Sequence, residues 1–104
     1  MFRRLYWIVE VMQADGRSTI LGVFTSIPDL IEEGIGYLKE HSLTQFRISL
    51  TTLDHAGQAK GSWTDQTVSD LVSDARKVAS PSEISDDELN SLYRSLQALT
   101  AVSP

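Results

Sequence analysis

A chain of 104 residues without a cysteine has room for one domain and must hold its core without disulfide staples. Hydrophobic residues at 41% and charged residues at 22% exclude wholesale disorder. The formal net charge of −5 falls unevenly, and it argues against tight, phosphate-driven nucleic-acid binding.

Residues 1–64 carry six basic and seven acidic side chains, and residues 65–104 carry three and seven, so the acidity belongs to the C-terminal part. The absence of cysteine suits a reducing cytoplasm, the expected location. The start, MFRRLYWIVEV, couples two arginines to an apolar run. Glu10 breaks that run and no small-residue cleavage pattern follows, so the segment reads as a strand rather than a signal peptide. No apolar stretch approaches transmembrane length, and no membrane contact is expected.

The stretch from Leu5 to Phe24 reads as two antiparallel strands joined at Asp15-Gly16. Asp-Gly between apolar runs favours a two-residue type I′ turn, which needs positive φ at both central residues. That loop sets Val11 opposite Ile20, Val9 opposite Gly22 and Trp7 opposite Phe24. Opposed residues share a face, so Trp7, Val9, Val11, Ile20 and Phe24 form a core face. The other face then carries Tyr6, Ile8, Glu10, Met12, Thr19, Leu21 and Val23, which is more apolar than a freely solvated sheet face.

Ser26 reads as the N-cap of a first helix, with Pro28 in the first turn and Asp29 completing a short capping box. Ile27, Leu30, Ile31, Ile35 and Leu38 recur at helical spacing. Gly34 shares that stripe, where its missing side chain allows close approach to the sheet. The helix is expected to end near His41-Ser42. Phe46 to Leu53 alternates as a third strand, either parallel to the second or antiparallel beside the first, with the place beside the first favoured. Asp54-His55-Ala56-Gly57 is a turn, and a fourth strand from about Gln58 to Thr64 returns against the third. Thr67-Val68-Ser69-Asp70 reads as the capping box of a second helix, with a start one turn earlier near Asp65 as the alternative, and Val68, Leu71, Val72, Ala75 and Val78 inward. Ser80-Pro81-Ser82 stops it. Ser85-Asp86-Asp87-Glu88 is a full capping box for a last helix, with Ile84 and Leu89 as its hydrophobic staple. Leu89, Leu92, Tyr93, Leu96 and Leu99 form its stripe. No internal repeat or low-complexity tract is apparent.

The expected architecture is α+β: a two-layer sandwich with a four-stranded, mainly antiparallel sheet in ββαββαα order. Residues 1–79 form the core domain. Residues 80–104 form a linker and a C-terminal helix that packs on the same domain or on a partner.

No residue set carries a catalytic, cofactor or metal assignment. His41 and His55 have no second ligand pair at a recognisable spacing. Serines fall mostly at caps and linkers, and Gly57-x-x-x-Gly61-Ser62 lacks the lysine of a phosphate loop. The paired carboxylates lie on polar helix faces or at a helix start, where negative charge is stabilised. Three functions remain in play. The first is a non-enzymatic protein-interaction or regulatory module acting as a homodimer or on a protein partner, through Tyr6, Ile8, Leu21, Val23, Leu92, Tyr93 and Leu96. The second is a small-ligand-binding protein or enzyme with a pocket between sheet and C-terminal helices, near Arg47, His55, Trp63 and Tyr93. The third, disfavoured by charge and by the lack of RNP-type motifs, is nucleic-acid binding through Tyr6, Arg3, Arg4 and Arg47.

The segment YWIVEV…DG…LGVFTSIPDLIEEGIGYL resembles the start of small bacterial proteins of unknown function. In these a strand, a turn and a strand ending in G-x-F-x-S lead into a helix, and Gly22, Phe24 and Ser26 match that pattern. The resemblance implies a bacterial cytoplasmic protein and no activity.

Overall fold

The computed structural model describes residues 5–52 and 61–100. Four strands, β1 (Leu5–Met12), β2 (Ser18–Phe24), β3 (Phe46–Thr52) and β4 (Gly61–Thr64), form one antiparallel sheet in the order β2-β1-β3-β4. Helix α1 (residues 27–40) follows β2. Helix α2 (Leu71–Val78) follows β4 through a 3₁₀ turn, Val68–Asp70, and α3 (Asp86–Thr100) ends the described chain. The fold is the α+β arrangement expected, in ββαββαα order. β3 lies beside β1, so the β2–α1–β3 connection crosses over β1. The expected turn Asp54–Gly57, with His55, lies outside the described residues.

The hairpin differs from the expected one at its tip. The Gln13 amide donates to the Arg17 carbonyl and the Gly16 amide to the Gln13 carbonyl, which closes a three-residue loop, Ala14-Asp15-Gly16. Gly16 alone takes the left-handed conformation, at φ 87°. The Arg17 amide donates to Asp15 Oδ1 and holds the turn. Asp-Gly serves this loop as well as a type I′ turn, because only the glycine must adopt positive φ.

A bulge at Leu21 then restores the inner register. Trp7 faces Phe24 and Val9 faces Gly22, as expected, but Glu10 faces Ile20 and Val11 faces Thr19. Leu21 has no partner on β1. Ile20 therefore moves to the outer face. Leu21 packs half-buried against the core instead of on the outer face where the sequence put it.

One face of the sheet carries the core. Trp7, Val9, Phe46, Ile48, Leu50 and Trp63 are buried with Ile27, Leu30 and Leu38 of α1, Leu71 and Ala75 of α2, and Leu89, Leu92 and Leu96 of α3. The Trp7 and Trp63 rings lie 6.3 Å apart and tilted, linking inner and edge strands. Gly34 lets α1 press on the sheet: a Cβ there would sit 3.1 Å from the Phe24 ring and 3.2 Å from Val9. Around this contact, Leu30–Ile35 is a π-helical segment, in which the Gly36 amide donates to the Ile31 carbonyl five residues back.

The helix ends follow local chemistry. The Asp29 amide donates to Ser26 Oγ at 3.3 Å, the expected cap. Helix α1 closes with a Schellman motif: the Leu43 amide reaches the Leu38 carbonyl and the Ser42 amide the Lys39 carbonyl, with Ser42 at φ 55°. The Ser85–Glu88 box forms in full, each residue's side chain accepting from the other's amide. The box expected at Thr67 does not form. Thr67 Oγ1 accepts instead from the Thr64 amide at 2.8 Å, ending β4, and the helix starts with the 3₁₀ turn.

The sheet order exposes a repeat that is not apparent in the sequence. The chain is two ββα units, β1-β2-α1 and β3-β4-α2, related by a pseudo-twofold axis between β1 and β3. Trp7 pairs with Leu50 as Ile48 pairs with Val9, and Leu5 with Thr52 as Phe46 with Val11. On both edge strands a glycine lies under an aromatic ring two residues later, Gly22 under Phe24 and Gly61 under Trp63. Ile27-Pro28-Asp29-Leu30-Ile31 corresponds to Val68-Ser69-Asp70-Leu71-Val72. In each, the first and fourth residues are buried. Helix α3 has no counterpart in the first unit and packs against both α1 and α2.

Candidate functional site

The apolar side chains of all three helices gather on the core face, so among the described residues no helix covers the other one. That outer face is split. Its β1–β2 half presents Tyr6, Ile8, Met12, Ile20 and Val23, and its β3–β4 half presents Arg47, Ser49, Thr51, Ser62 and Thr64. Glu10 and Arg47 lie directly opposite each other at the border, a favourable cross-strand placement. Glu10 also accepts from Ser18 Oγ at 2.9 Å. Ser49 and Ser62 hydrogen-bond across the polar half.

Exposure singles out the β2 edge. The exposed large apolar side chains among the described residues are Ile20 (60%), Val23 (55%) and Tyr37 (43%). All three line one depression, with Leu21, Phe24, Glu33 and Gly34, where β2 meets α1. The Tyr37 ring stacks on His41, with centroids 4.0 Å apart, and the His41 Nδ1 lies 3.1 Å from the Tyr37 carbonyl oxygen. That stack holds Tyr37 on the rim of the depression.

The sequence-derived interface is partly at this place. Tyr6, Ile8 and Val23 lie on the outer face. Leu21 lies on the core side because of the bulge. Leu92 and Leu96 are fully buried in the chain's own core, with Tyr93 half-buried beside it, so α3 packs in cis. Arg76 fastens that helix: it donates to the carbonyls of Ala79 and Ile84 and pairs with Asp86 at 2.6 Å. Ile20 and Tyr37 escaped the sequence reading. The signal for Tyr37 was an aromatic residue off the buried stripe of its helix, and Ile20 needed the bulge.

The sequence-derived pocket does not assemble. Trp63 is 2% exposed on the core face, and its Nε1 donates to Asp74 Oδ2 at 3.2 Å. Arg47 is next to Ile48, which pairs with Trp63, so it projects from the opposite face. Tyr93 lies in the helical layer, and His55 is outside the described residues. A separate groove between α1 and α3 is lined by Ile31, Ile35, Lys39, Ser95, Ala98 and Leu99. For nucleic acid, Tyr6 and Arg47 do share the outer face, but Glu10 and Ile8 lie between them.

Among the described residues, no group of three or more His, Cys, Asp or Glu is placed to hold a metal ion, and no helix is long and apolar enough to cross a membrane. No protein-family model, curated protein or solved structure matches the chain.

Proposed function

We propose that this chain is a small non-enzymatic interaction or regulatory module that works as a homodimer, in a reducing compartment such as the bacterial cytoplasm. One observation carries the reading: Ile20, Val23 and Tyr37 are concentrated at one edge of the molecule and run on into the apolar half of the outer face. Large apolar side chains scattered singly over a surface are ordinary, but a contiguous exposed patch marks an interaction surface. The opposite half of the same face is polar and hydrogen-bonded within itself, which confines the attraction to the β1–β2 side.

Size-exclusion chromatography with light scattering on the native chain and on Val23→Asp tests this. Val23 is more than half exposed, so the substitution should change the stability of the folded chain by under about 0.5 kcal/mol. The native chain should elute as a dimer and Val23→Asp as a monomer with an unchanged far-UV circular dichroism spectrum. A native chain that stays at 11.5 kDa at high concentration removes the reading.

A further inference from the structure

The strand at the centre of the exposed patch has an open side. Among the described residues β2 ends the sheet, so half of its backbone hydrogen-bonding groups face away from β1. Such edges are usually blunted by charge, by proline or by brevity. β2 has seven residues, STILGVF, with neither charge nor proline. The other edge strand, β4, is described from Gly61 to Thr64, and its outer positions there are the polar Ser62 and Thr64.

The bulge decides what kind of strand fits beside it. From Thr19 to Phe24 the side chains point core, outer, core, core, outer, core. That order is the same read in either direction. A second copy of β2, laid antiparallel with Ile20 opposite Val23 and Leu21 opposite Gly22, therefore matches it side for side, residue for residue. Shifting the pairing by one residue sets core-side positions against outer ones. A regularly alternating foreign strand would have to leave one residue of β2 unpaired, as β1 already does.

We infer that β2 pairs with β2 of a second copy of this chain about a twofold axis between Leu21 and Gly22, joining the two sheets into one. This rests on the homodimer reading above and names the surface that makes the dimer. The symmetry is closed, so the contact stops at two copies instead of growing into a fibre. Ile20 of each chain lies beside Val23 of the other, and each covers part of the other's exposed surface. Continued past the strand ends, the same register brings Arg17, with its side chain 83% exposed, level with Ser26 of the other copy. Ser26 caps α1, whose first turn carries the exposed Asp29. Arg17 is already paired with Asp15 of its own chain at 3.5 Å, so each end of the paired strands is polar without a new ion pair.

The chain has no cysteine, so introduced thiols report on this pair without background. Full-length Ile20→Cys and Val23→Cys chains are made separately and exposed to mild oxidation alone and as a mixture. Directly opposed residues of an antiparallel pair bring their Cβ atoms to about 4.5–5.5 Å, close to disulfide range, while like positions stay apart. The mixture should form a disulfide-linked mixed dimer, and each variant alone should remain largely unlinked. Both sites are more than half exposed, and circular dichroism of the reduced variants confirms their fold. A native chain that is dimeric by mass, with no linkage in the mixture or equal linkage in all three samples, overturns β2 pairing and leaves the homodimer reading standing. A monomeric native chain overturns both.

Discussion

In the first ββα unit the edge strand runs for seven residues and leaves Ile20 and Val23 exposed. In the second, the outward positions of the edge strand among the described residues are Ser62 and Thr64. The two units share a plan down to the glycine beneath an aromatic ring, so the contrast does not come from the architecture. It comes from what each unit does with its surplus apolar surface. The second unit is followed by α3, tied back to α2 by Arg76, and buries its side chains within the chain. The first keeps an apolar edge and an unusual helix, with a π segment around Gly34 and Tyr37 one turn beyond it. Where two copies of one plan diverge, the open copy is the place to look for a partner.

Three substitutions probe that contrast. The largest effect is expected from Leu92→Ala, which cuts a fully buried side chain from the helix that the first unit lacks. Chemical denaturation should show a loss of about 3 kcal/mol, whereas the same truncation at Val23 should cost far less. Next comes Arg76→Ala, which removes two hydrogen bonds to carbonyls and the contact with Asp86, and frees the α2–α3 linker. The loss should be about 2 kcal/mol in the same measurement, with self-association intact if the second unit plays no part in it. The smallest effect has the opposite sign. The Thr52 hydroxyl is buried on the core face without a hydrogen-bond partner among the described residues, and its pseudo-equivalent in the first unit is Val11. Thr52→Val should raise the melting temperature through a gain of about 1 kcal/mol, because an unsatisfied buried hydroxyl is replaced by a methyl group of similar size.

Much of the fold was legible where one local rule had a single solution. Ser85-Asp86-Asp87-Glu88 allowed one helix start, and the box formed there with both reciprocal bonds. The alternation of Phe46, Ile48 and Leu50 in the third strand likewise had one solution, and all three are buried. The hairpin tip was not legible, since Asp15-Gly16 serves a two- or a three-residue loop. Nor was the bulge: Ile20 and Leu21 are adjacent and both apolar, so either can face the core without breaking the pattern. The two unknowns offset each other below Val9, which is why the inner register came out right while Ile20, Leu21 and Thr19 changed sides. The repeat stayed hidden because matched positions keep burial, not identity. Trp7 answers to Ile48 and Val11 to Thr52, and the loop before α2 is longer than the one before α1. The candidate surface was half legible for the same reason. Tyr6, Ile8 and Val23 follow from alternation, Ile20 needs the bulge, and Leu92 and Leu96 are indistinguishable in sequence from an unpartnered helix face.

The central claim is that the open edge of the first unit joins two copies of this chain. Sedimentation equilibrium of the native protein, run from micromolar to millimolar concentration, tests it most directly. The expected result is a reversible approach to twice the 11.5 kDa chain mass with no larger species, as a closed twofold pairing requires. A single species at 11.5 kDa across the whole range, or growth beyond the dimer, contradicts it.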